Sequence, residues 1–563
     1  MFSDNKMSET TLTITTPKTQ KNPHSNFPWY SFETGIYSSK YPKINLPQNP
    51  FLDVVTHIFS YPNNNATSAL IDYSSGYSIP YSQLFSLVKS MSYRLDELGF
   101  SQGDVALILL PNCLYFPIIL MGVLYLGGIV SPMNPLSSFS ELKHQTLGSR
   151  ASFAFSHVEN APKLRALGLN VIEVPEIMNQ NCDFYKLLYT NVGKSCRRPM
   201  INQDDIATIM YSSGTTGASK GVLLTHKNFI SMVELFVRFE VSQYNEPSSE
   251  NVYLDVLPMF HIYGLSLFGL GLLSLGISVV VMSKFDINEV VRAICRYQVT
   301  HFPVVPPIMA ALSVKARSLS DKSVLSSLKQ VSCGAASLST KVISDFLHAF
   351  PGVDFIQGYG MTESTAVGTR GFNMENSHKY TSVGLLAPNM EAKVVNGNTG
   401  SCLPPGKAGE LLLRGPGVMK GYLNNSEATR LTIEDDGWLH TGDIAYFDHD
   451  GYLYILDRLK EIIKYKGFQI APVDLEAVLK SHPEILDVAV TGAADEEAGE
   501  IPVAFVVKKT GSTLSQDEVI KYVAQEVAPY KKVREVRFVT SIPKSAAGKV
   551  LRRQLRTLPT SKL

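Results

Sequence analysis

The 563-residue chain has few cysteines, almost no net charge and no long apolar run without interruption. Its six cysteines, Cys113, Cys182, Cys196, Cys295, Cys333 and Cys402, lie far apart and form no Cys-x-x-Cys pair. That excludes a zinc ribbon, a thioredoxin-type dithiol and a secreted disulfide scaffold, and predicts reduced thiols in an intracellular protein. Lysine and arginine total 51 against 50 aspartate and glutamate, a net charge of +1, so the chain is no wholly basic nucleic-acid coat. A hydrophobic content of 45% with 18% charged residues is a globular balance, and the length suits three or four domains or fewer large ones.

Two stretches without charge, 105–140 and 264–283, test for a membrane span. Pro111, Asn112 and Pro117 break the first, which reads as a buried strand over 105–110, a short helix over 113–126 and a strand ending near Val130. Gly264, Gly269, Gly271 and Gly276 punctuate the second, before a β-branched run from Ile277 to Val281. Both read as helix and strand buried inside an α/β sheet, and no membrane span is expected. The first thirty residues lack the apolar centre of a secretory signal, and residues 1–45 are expected to be a flexible tail. Ser561, Lys562 and Leu563 form the tripeptide read by the peroxisomal import receptor, so a peroxisomal location is expected.

Apolar strand runs at 69–72, 76–79, 170–174, 206–211, 252–257, 278–282 and 353–357 alternate with helical patterns such as Leu84, Leu87, Val88, Met91, Leu95 and Leu98. This alternation predicts an α/β fold: a large N-terminal domain over 46–457 with mostly parallel strands. From 384 to 451, short strands between Gly, Pro, Asn and Asp predict a β-rich subdomain. Residues 458–563 read as a small α+β C-terminal domain.

The densest chemical signal is 212–221, SSGTTGASKG, directly after a strand. Its hydroxyls, glycines and Lys220 can wrap phosphate oxygens, yet the spacing is not that of a Walker P-loop. A β-branched run leaving the loop argues against a flexible Ser/Gly linker. Ten basic residues against one acid, Glu535, fill 531–562, but few aromatics accompany them and no nucleic acid partner is expected.

Six ordered motifs carry a resemblance: SSGTTGASKGV (212–222), QGYGMTE (357–363), GELLLRG (409–415), HTGD (440–443), DRLKEIIKYKGFQIAP (457–472) and PKSAAGK (543–549). Together they resemble the acyl-adenylate-forming enzymes, which include 4-coumarate:CoA ligases, acyl-CoA synthetases and firefly luciferase. In texture the chain is most similar to plant 4-coumarate:CoA ligase-like proteins of peroxisomal type. The resemblance spans about residues 45–557. It implies two half-reactions: a carboxylate attacks the α-phosphorus of ATP and releases pyrophosphate, then the acyl group passes from AMP to the thiol of coenzyme A. Charge on the triphosphate must be neutralised for the first step, so hydroxyls, lysine and Mg²⁺ should converge there.

The family pattern assigns Ser212, Ser213, Gly214, Thr215, Thr216, Gly217 and Lys220 to the β and γ phosphates, Thr362 to the α-phosphate, and Thr216 with Glu363 to Mg²⁺. Tyr359 would stack on adenine beside Gln357 and Gly358, while Asp443, in a Thr-Gly-Asp turn, and Arg458 would reach the ribose. Lys549 would serve adenylation; Lys464 and Gln469 would meet the adenylate during thioester formation, with the C-terminal domain rotating about a hinge near Lys460. Coenzyme A would meet Lys284, Lys466 and Gly467. His261 and Tyr263 would border the reacting carboxylate, and Tyr263, Gly334, Ala335, Gln357 and Gly358 would line the acyl pocket.

Two departures point away from hydroxycinnamate. Residues 364–370 read STAVGTR where 4-coumarate ligases usually continue with AGPVL, and GELLLRG replaces GEICIRG. With a peroxisomal address, a medium or long fatty acid, a jasmonate-precursor oxylipin and a cinnamate-like acid are expected in that order. A luciferase-like oxygenase shares every motif through adenylation, and oxygen uptake separates it from a ligase. A non-catalytic acyl or nucleotide binder would not need Lys220, Glu363, Asp443, Lys464 and Lys549 together.

Overall fold

Val105–Leu109 is buried at every position, so its side chains meet protein on both faces of a sheet rather than alternating with solvent. The computed structural model describes residues 27–62, 67–176, 182–189, 198–212, 220–244, 250–336, 338–372, 378–397, 399–458, 461, 463–465, 468–470, 472–495, 498–527, 531–544 and 550–555. In it Val105–Leu109 pairs in parallel with Ile129–Pro132 and Phe153–Ser156, and Ile206–Ser212 joins beyond Ile129–Pro132. Lys220–Thr225 and Gly421–Tyr422 close that edge antiparallel, giving seven strands among the described residues.

A second sheet, of nine described strands, runs Val252–Asp255, Ser278–Val281, His301–Val304, Gln330–Cys333 and Asp354–Tyr359 in parallel. The helix Tyr115–Tyr125 is apolar all round and almost wholly buried, as a helix without a solvent face must be. It packs closely on Tyr81–Glu97 because Gly122 has no side chain: a Cβ there would stand 2.4 Å from Met91 Cγ. Among the described residues no helix is long and apolar enough to cross a membrane.

The β-rich subdomain is an antiparallel sheet of Glu391–Val395, Gly409–Arg414, Leu439–Phe447 and Leu453–Arg458. Its outer edge carries a correction to the flexible tail expected over 1–45. Tyr37–Ser38 pairs with this sheet, and Trp29, Tyr30 and Tyr37 are buried in the main core. Tyr37 stacks on Phe447 at 4.3 Å, so aromatic area anchors the segment from Phe27 onward although its composition looks loose.

One apolar core runs from Trp29 to Leu453, with Ile455 packed against it. A smaller cluster around Leu107, Leu109, Met133 and Leu164 lies apart from it, and another begins at Ile463 and involves Leu475, Val488, Val506, Val519 and Val536. There the helix Pro472–Lys480 covers the hairpin Ile485–Asp495 and Gly499–Lys508, with Glu535–Phe538 added in parallel.

Candidate active site

The first part of the site is built on the two strands that flank residues 213–219. Ile206–Ser212 and Lys220–Thr225 form a hairpin in which Ser212 stands opposite Lys220. Ser213, Gly214, Thr215, Thr216 and Gly217 lie between the strands, outside the described residues. The Ser212 hydroxyl donates to Glu363 Oε1 at 2.9 Å, and Tyr422 donates to the same oxygen at 3.2 Å. Lys220 Nζ lies 4.8 Å from the centre of the Tyr422 ring, so its ammonium is held at the aromatic face. Tyr422 arrives on the edge strand Gly421–Tyr422, opposite Val222, and sequence reasoning missed it. The Gly-Tyr pair after Lys420 is the only sequence signal, and it is weak without the pairing.

Glu363 comes from the loop joining Asp354–Tyr359 to its antiparallel partner Thr369–Arg370. Thr362–Ser364 forms one tight helical turn, followed by two left-handed residues, Thr365 at φ 53° and Ala366 at φ 61°. Left-handed backbone is costly for residues with a Cβ and persists only where surroundings enforce it. Here the Thr365 hydroxyl donates to Gly417 O at 2.7 Å, and Met419 N donates to Glu363 O at 2.9 Å. Thr362 and Glu363 are therefore aimed by a loop fixed on both sides. Burial leaves Glu363 only 7% exposed, and two hydroxyl donors satisfy one oxygen. Among the described residues no group of three or more His, Cys, Asp or Glu makes a preformed metal cage. A single carboxylate beside a phosphate loop fits Mg²⁺, which keeps waters and takes nucleotide oxygens as ligands.

The second part joins Tyr359 to Asp443. Tyr359 donates to Asp443 Oδ2 at 2.6 Å. Asp443 does not end in a turn, as Thr-Gly-Asp suggested, but lies within the strand Leu439–Phe447. Gly442 takes φ 69° there, and the Thr441 hydroxyl accepts Asp443 N at 3.1 Å, so threonine rather than aspartate closes the local kink. Arg458 is opposite Asp443 in register on Leu453–Arg458; its side chain lies outside the described residues. Gln357 donates to Tyr380 O at 2.5 Å, which ties the start of the motif to the following segment.

Tyr263, Gly334 and Gly358, which the sequence assigns to the acyl pocket, lie together. A Cβ on Gly334 would stand 3.4 Å from Gly358 O and 3.7 Å from the Tyr263 ring. Ala335 turns the chain at φ 71° just after Gln330–Cys333. His261 precedes the helical start at Ile262 and rests against Phe260, 4.9 Å between ring centres. Its loop is pinned from below: Asn112 donates to Leu257 O at 2.8 Å and accepts Met259 N at 2.9 Å. Asn112 also donates to both oxygens of Asp255, whose carboxyl is pushed well up by burial.

Lys284 is exposed, three positions beyond the strand Ser278–Val281. Lys464 and Gln469 face each other in register on Ile463–Tyr465 and Phe468–Ile470, their side chains outside the described residues. Lys460, Lys466, Gly467, Lys549, Ser561, Lys562 and Leu563 lie outside the described residues altogether. A bridge between Lys544 and Val550 flanks the segment that carries Lys549. Just after it, Arg552 donates to Glu476 Oε1 at 2.7 Å and Val490 O at 3.0 Å, tying Arg552–Leu555 to the C-terminal core. Burial pushes the Glu476 carboxyl up, and the Arg552 charge opposes that shift.

Residues 60–423 match the AMP-binding enzymes, and residues 474–549 match the C-terminal domain of AMP-binding enzymes. The chain belongs to the AMP-binding enzyme family. It is 58% identical over 553 residues to 4-coumarate--CoA ligase-like 6 of Arabidopsis thaliana, covering 97% of each chain. It is 42% identical to the peroxisomal OPC-8:0-CoA ligase 1 of the same plant, covering 93% of this chain and 96% of that one. Among solved structures, the o-succinylbenzoate coenzyme A synthetase of Bacillus subtilis with ATP and magnesium matches at a TM-score of 0.75 and 26% identity, covering 90% of this chain and 99% of that one. This member of the AMP-binding enzymes is an ATP-dependent, AMP-forming acid:CoA ligase with an α/β fold.

Proposed function

We propose that the ligase activates a medium or long fatty acid or an oxylipin acid of the jasmonate-precursor kind, ahead of a cinnamate-like acid, inside the peroxisome. The convergence of Ser212 and Tyr422 on Glu363, with Lys220 alongside, is the observation that carries the adenylating half of this reading. A Mg²⁺ bound at Glu363 together with nucleotide oxygens would neutralise the triphosphate during attack by the carboxylate. Thr362 would meet the α-phosphate, Asp443 the ribose, and Tyr359 the adenine. Lys549 would serve adenylation, and Lys464 with Gln469, Lys466 and Gly467 would serve transfer to coenzyme A, in a second arrangement of the C-terminal domain. His261 would sit beside the reacting carboxylate, with Lys284 near coenzyme A.

Two facts support the acid class: the STAVGTR sequence at 364–370, and the likeness to a relative named for the OPC-8:0 acid. Ser561, Lys562 and Leu563 support import, as does that relative's peroxisomal name. ATP/pyrophosphate exchange against a panel of the three acid classes is the test. Fatty or oxylipin acids should drive exchange most strongly, whereas turnover of 4-coumarate alone overturns the ordering. In the same assay Lys549→Ala should abolish exchange, while Lys464→Ala should spare it and slow acyl-CoA formation. Equal loss in both half-reactions for each variant rejects the two-arrangement reading. Deleting Ser561, Lys562 and Leu563 should leave a fluorescent fusion outside peroxisomes.

A further inference from the structure

An arginine lies buried beside Tyr263 and Gly358, which the reading above assigns to the acyl pocket, at the end of the segment where the sequence departs from the 4-coumarate ligases. Arg370 is 5% exposed and stands opposite Gly358 in the short antiparallel pair that follows the nucleotide motif. The glycine makes room for it: a Cβ on Gly358 would lie 3.0 Å from Arg370 Nη1 and 3.3 Å from its Cδ. Arg370 Nε lies 2.5 Å from Glu240 Oε2, in a pair whose side chains are 6% and 8% exposed. The guanidinium carbon sits 4.8 Å from the Phe236 ring centre. Tyr263, which borders Gly334, places its hydroxyl near Arg370 and Ser332.

Glu240 and Phe236 reach this wall from one helix. Its middle, Val233–Arg238, is wound as a π-helix, and Glu240 follows in Phe239–Ser242. A π-turn changes the register of everything after it and recurs at functional sites. Among the described residues the Tyr263 hydroxyl has no aligned hydrogen-bond partner, while Arg370 Nε lies against the Glu240 carboxylate that balances its charge. A buried donor left unmatched is costly, and Tyr263 borders Gly334, which the reading above assigns to the acyl pocket.

We propose that Arg370, held by Glu240, is a specificity-determining residue that together with Tyr263 donates hydrogen bonds to a neutral oxygen on the acyl group. The class of acid is one bearing a ketone, hydroxyl or ether oxygen away from the reacting carboxylate. Charge selects the neutral oxygen, because Glu240 already balances the guanidinium and a second carboxylate on the substrate would meet Glu240 as well. A plain saturated chain leaves the Tyr263 hydroxyl unmatched, and a site built around such a donor discriminates strongly against an analogue that lacks the acceptor. This inference rests on the acyl-pocket placement of Tyr263, Gly334 and Gly358 in the reading above.

The test compares dodecanoic acid with a series of oxododecanoic acids that move one ketone along the chain, using pyrophosphate release by the full-length enzyme. For at least one ketone position the wild type should favour the oxo acid by about 10- to 100-fold in kcat/KM. Replacing Arg370 alone leaves Glu240 buried and unpaired, which threatens folding. The double variant Arg370→Leu/Glu240→Leu removes both charges together and should erase or reverse the preference while retaining turnover of dodecanoic acid. Tyr263→Phe should reduce the preference in part. If no oxo acid beats dodecanoic acid, or the double variant keeps the wild-type ratio, the inference fails and the ligase reading stands. If neither acid series releases pyrophosphate, the inference and the fatty-acid reading fail together.

Discussion

The Tyr359 hydroxyl donates a 2.6 Å hydrogen bond to Asp443 Oδ2, linking the nine-stranded sheet to the antiparallel subdomain at the point where both carry nucleotide-assigned residues. A phenol bonded to a carboxylate is a charge-assisted contact that sets the orientation of both groups. Tyr359→Phe keeps the ring but removes a bond of about 1.5–3 kcal/mol. It should lower kcat/KM for ATP roughly 10- to 100-fold. Steady-state kinetics with varied ATP will show this, and an unchanged value would mean that Asp443 is positioned without Tyr359.

Glu363→Gln separates charge from shape. The amide oxygen can still accept from Ser212 and Tyr422, so melting temperature should change little. If Glu363 holds Mg²⁺ as proposed, removing its negative charge should lower pyrophosphate exchange by about 100-fold or more. Titrating Mg²⁺ distinguishes this from a packing defect, because the variant should need more metal for half-maximal rate. Wild-type exchange at low Mg²⁺ would remove Glu363 from the metal's ligands.

Gly360→Ala tests the loop geometry. A Cβ at Gly360 would lie 2.4 Å from Ala366 O and 2.6 Å from Ala366 C, both backbone atoms that cannot rotate away. The left-handed pair Thr365 and Ala366 must then shift, moving Thr362 and Glu363 with them. A strain cost of about 1–3 kcal/mol is expected. Adenylation should drop far more than stability does, measured by exchange kinetics alongside thermal unfolding of the same preparation.

Several elements were legible because burial leaves a compositional trace. The runs at 105–110, 206–211 and 278–282 became strands, since residues enclosed on both faces must be apolar without interruption. Ser212, Lys220, Tyr359, Glu363 and Asp443 stood out because their motifs pack unusual residue types into few positions. Tyr422 and Glu240 left no such trace. Tyr422 meets Glu363 through pairing between an edge strand and a hairpin some two hundred positions earlier in the chain. Glu240 depends on a π-turn that helical spacing does not reveal. The anchoring of Trp29 and Tyr37 was hidden by polar neighbours, and the Thr-Gly-Asp turn signal proved to be a kink inside a continuous strand.

Tyr37→Ala tests that anchor. The side chain is fully buried, stacks on Phe447 at 4.3 Å and donates to Leu403 O at 2.8 Å. Truncation should destabilise the large domain by about 3–5 kcal/mol. Tyr37→Phe, which loses only the hydroxyl, should cost about 1 kcal/mol. Urea unfolding followed by tryptophan fluorescence reads both, and near-wild-type stability of Tyr37→Ala would show that the segment adds little to the fold.

His440 predicts a pH dependence next to the Asp443 strand. Its Nδ1 lies 3.2 Å from Glu410 Oε1 and its Nε2 2.9 Å from Glu434 Oε1. The hydrogen bond to Glu410 raises the imidazole pKa above its ordinary value, burial opposes this, and the charges of Glu410 and Glu434 reinforce it. Because the folded value exceeds the unfolded one of about 6.5, the folded state binds the proton more tightly. That stabilisation is fully present below pH 6.5 and is lost as pH rises through the folded value. Urea unfolding from about pH 6 to pH 9 should therefore show stability declining with a slope that His440→Gln flattens. Parallel slopes in the two proteins would assign the decline to other groups.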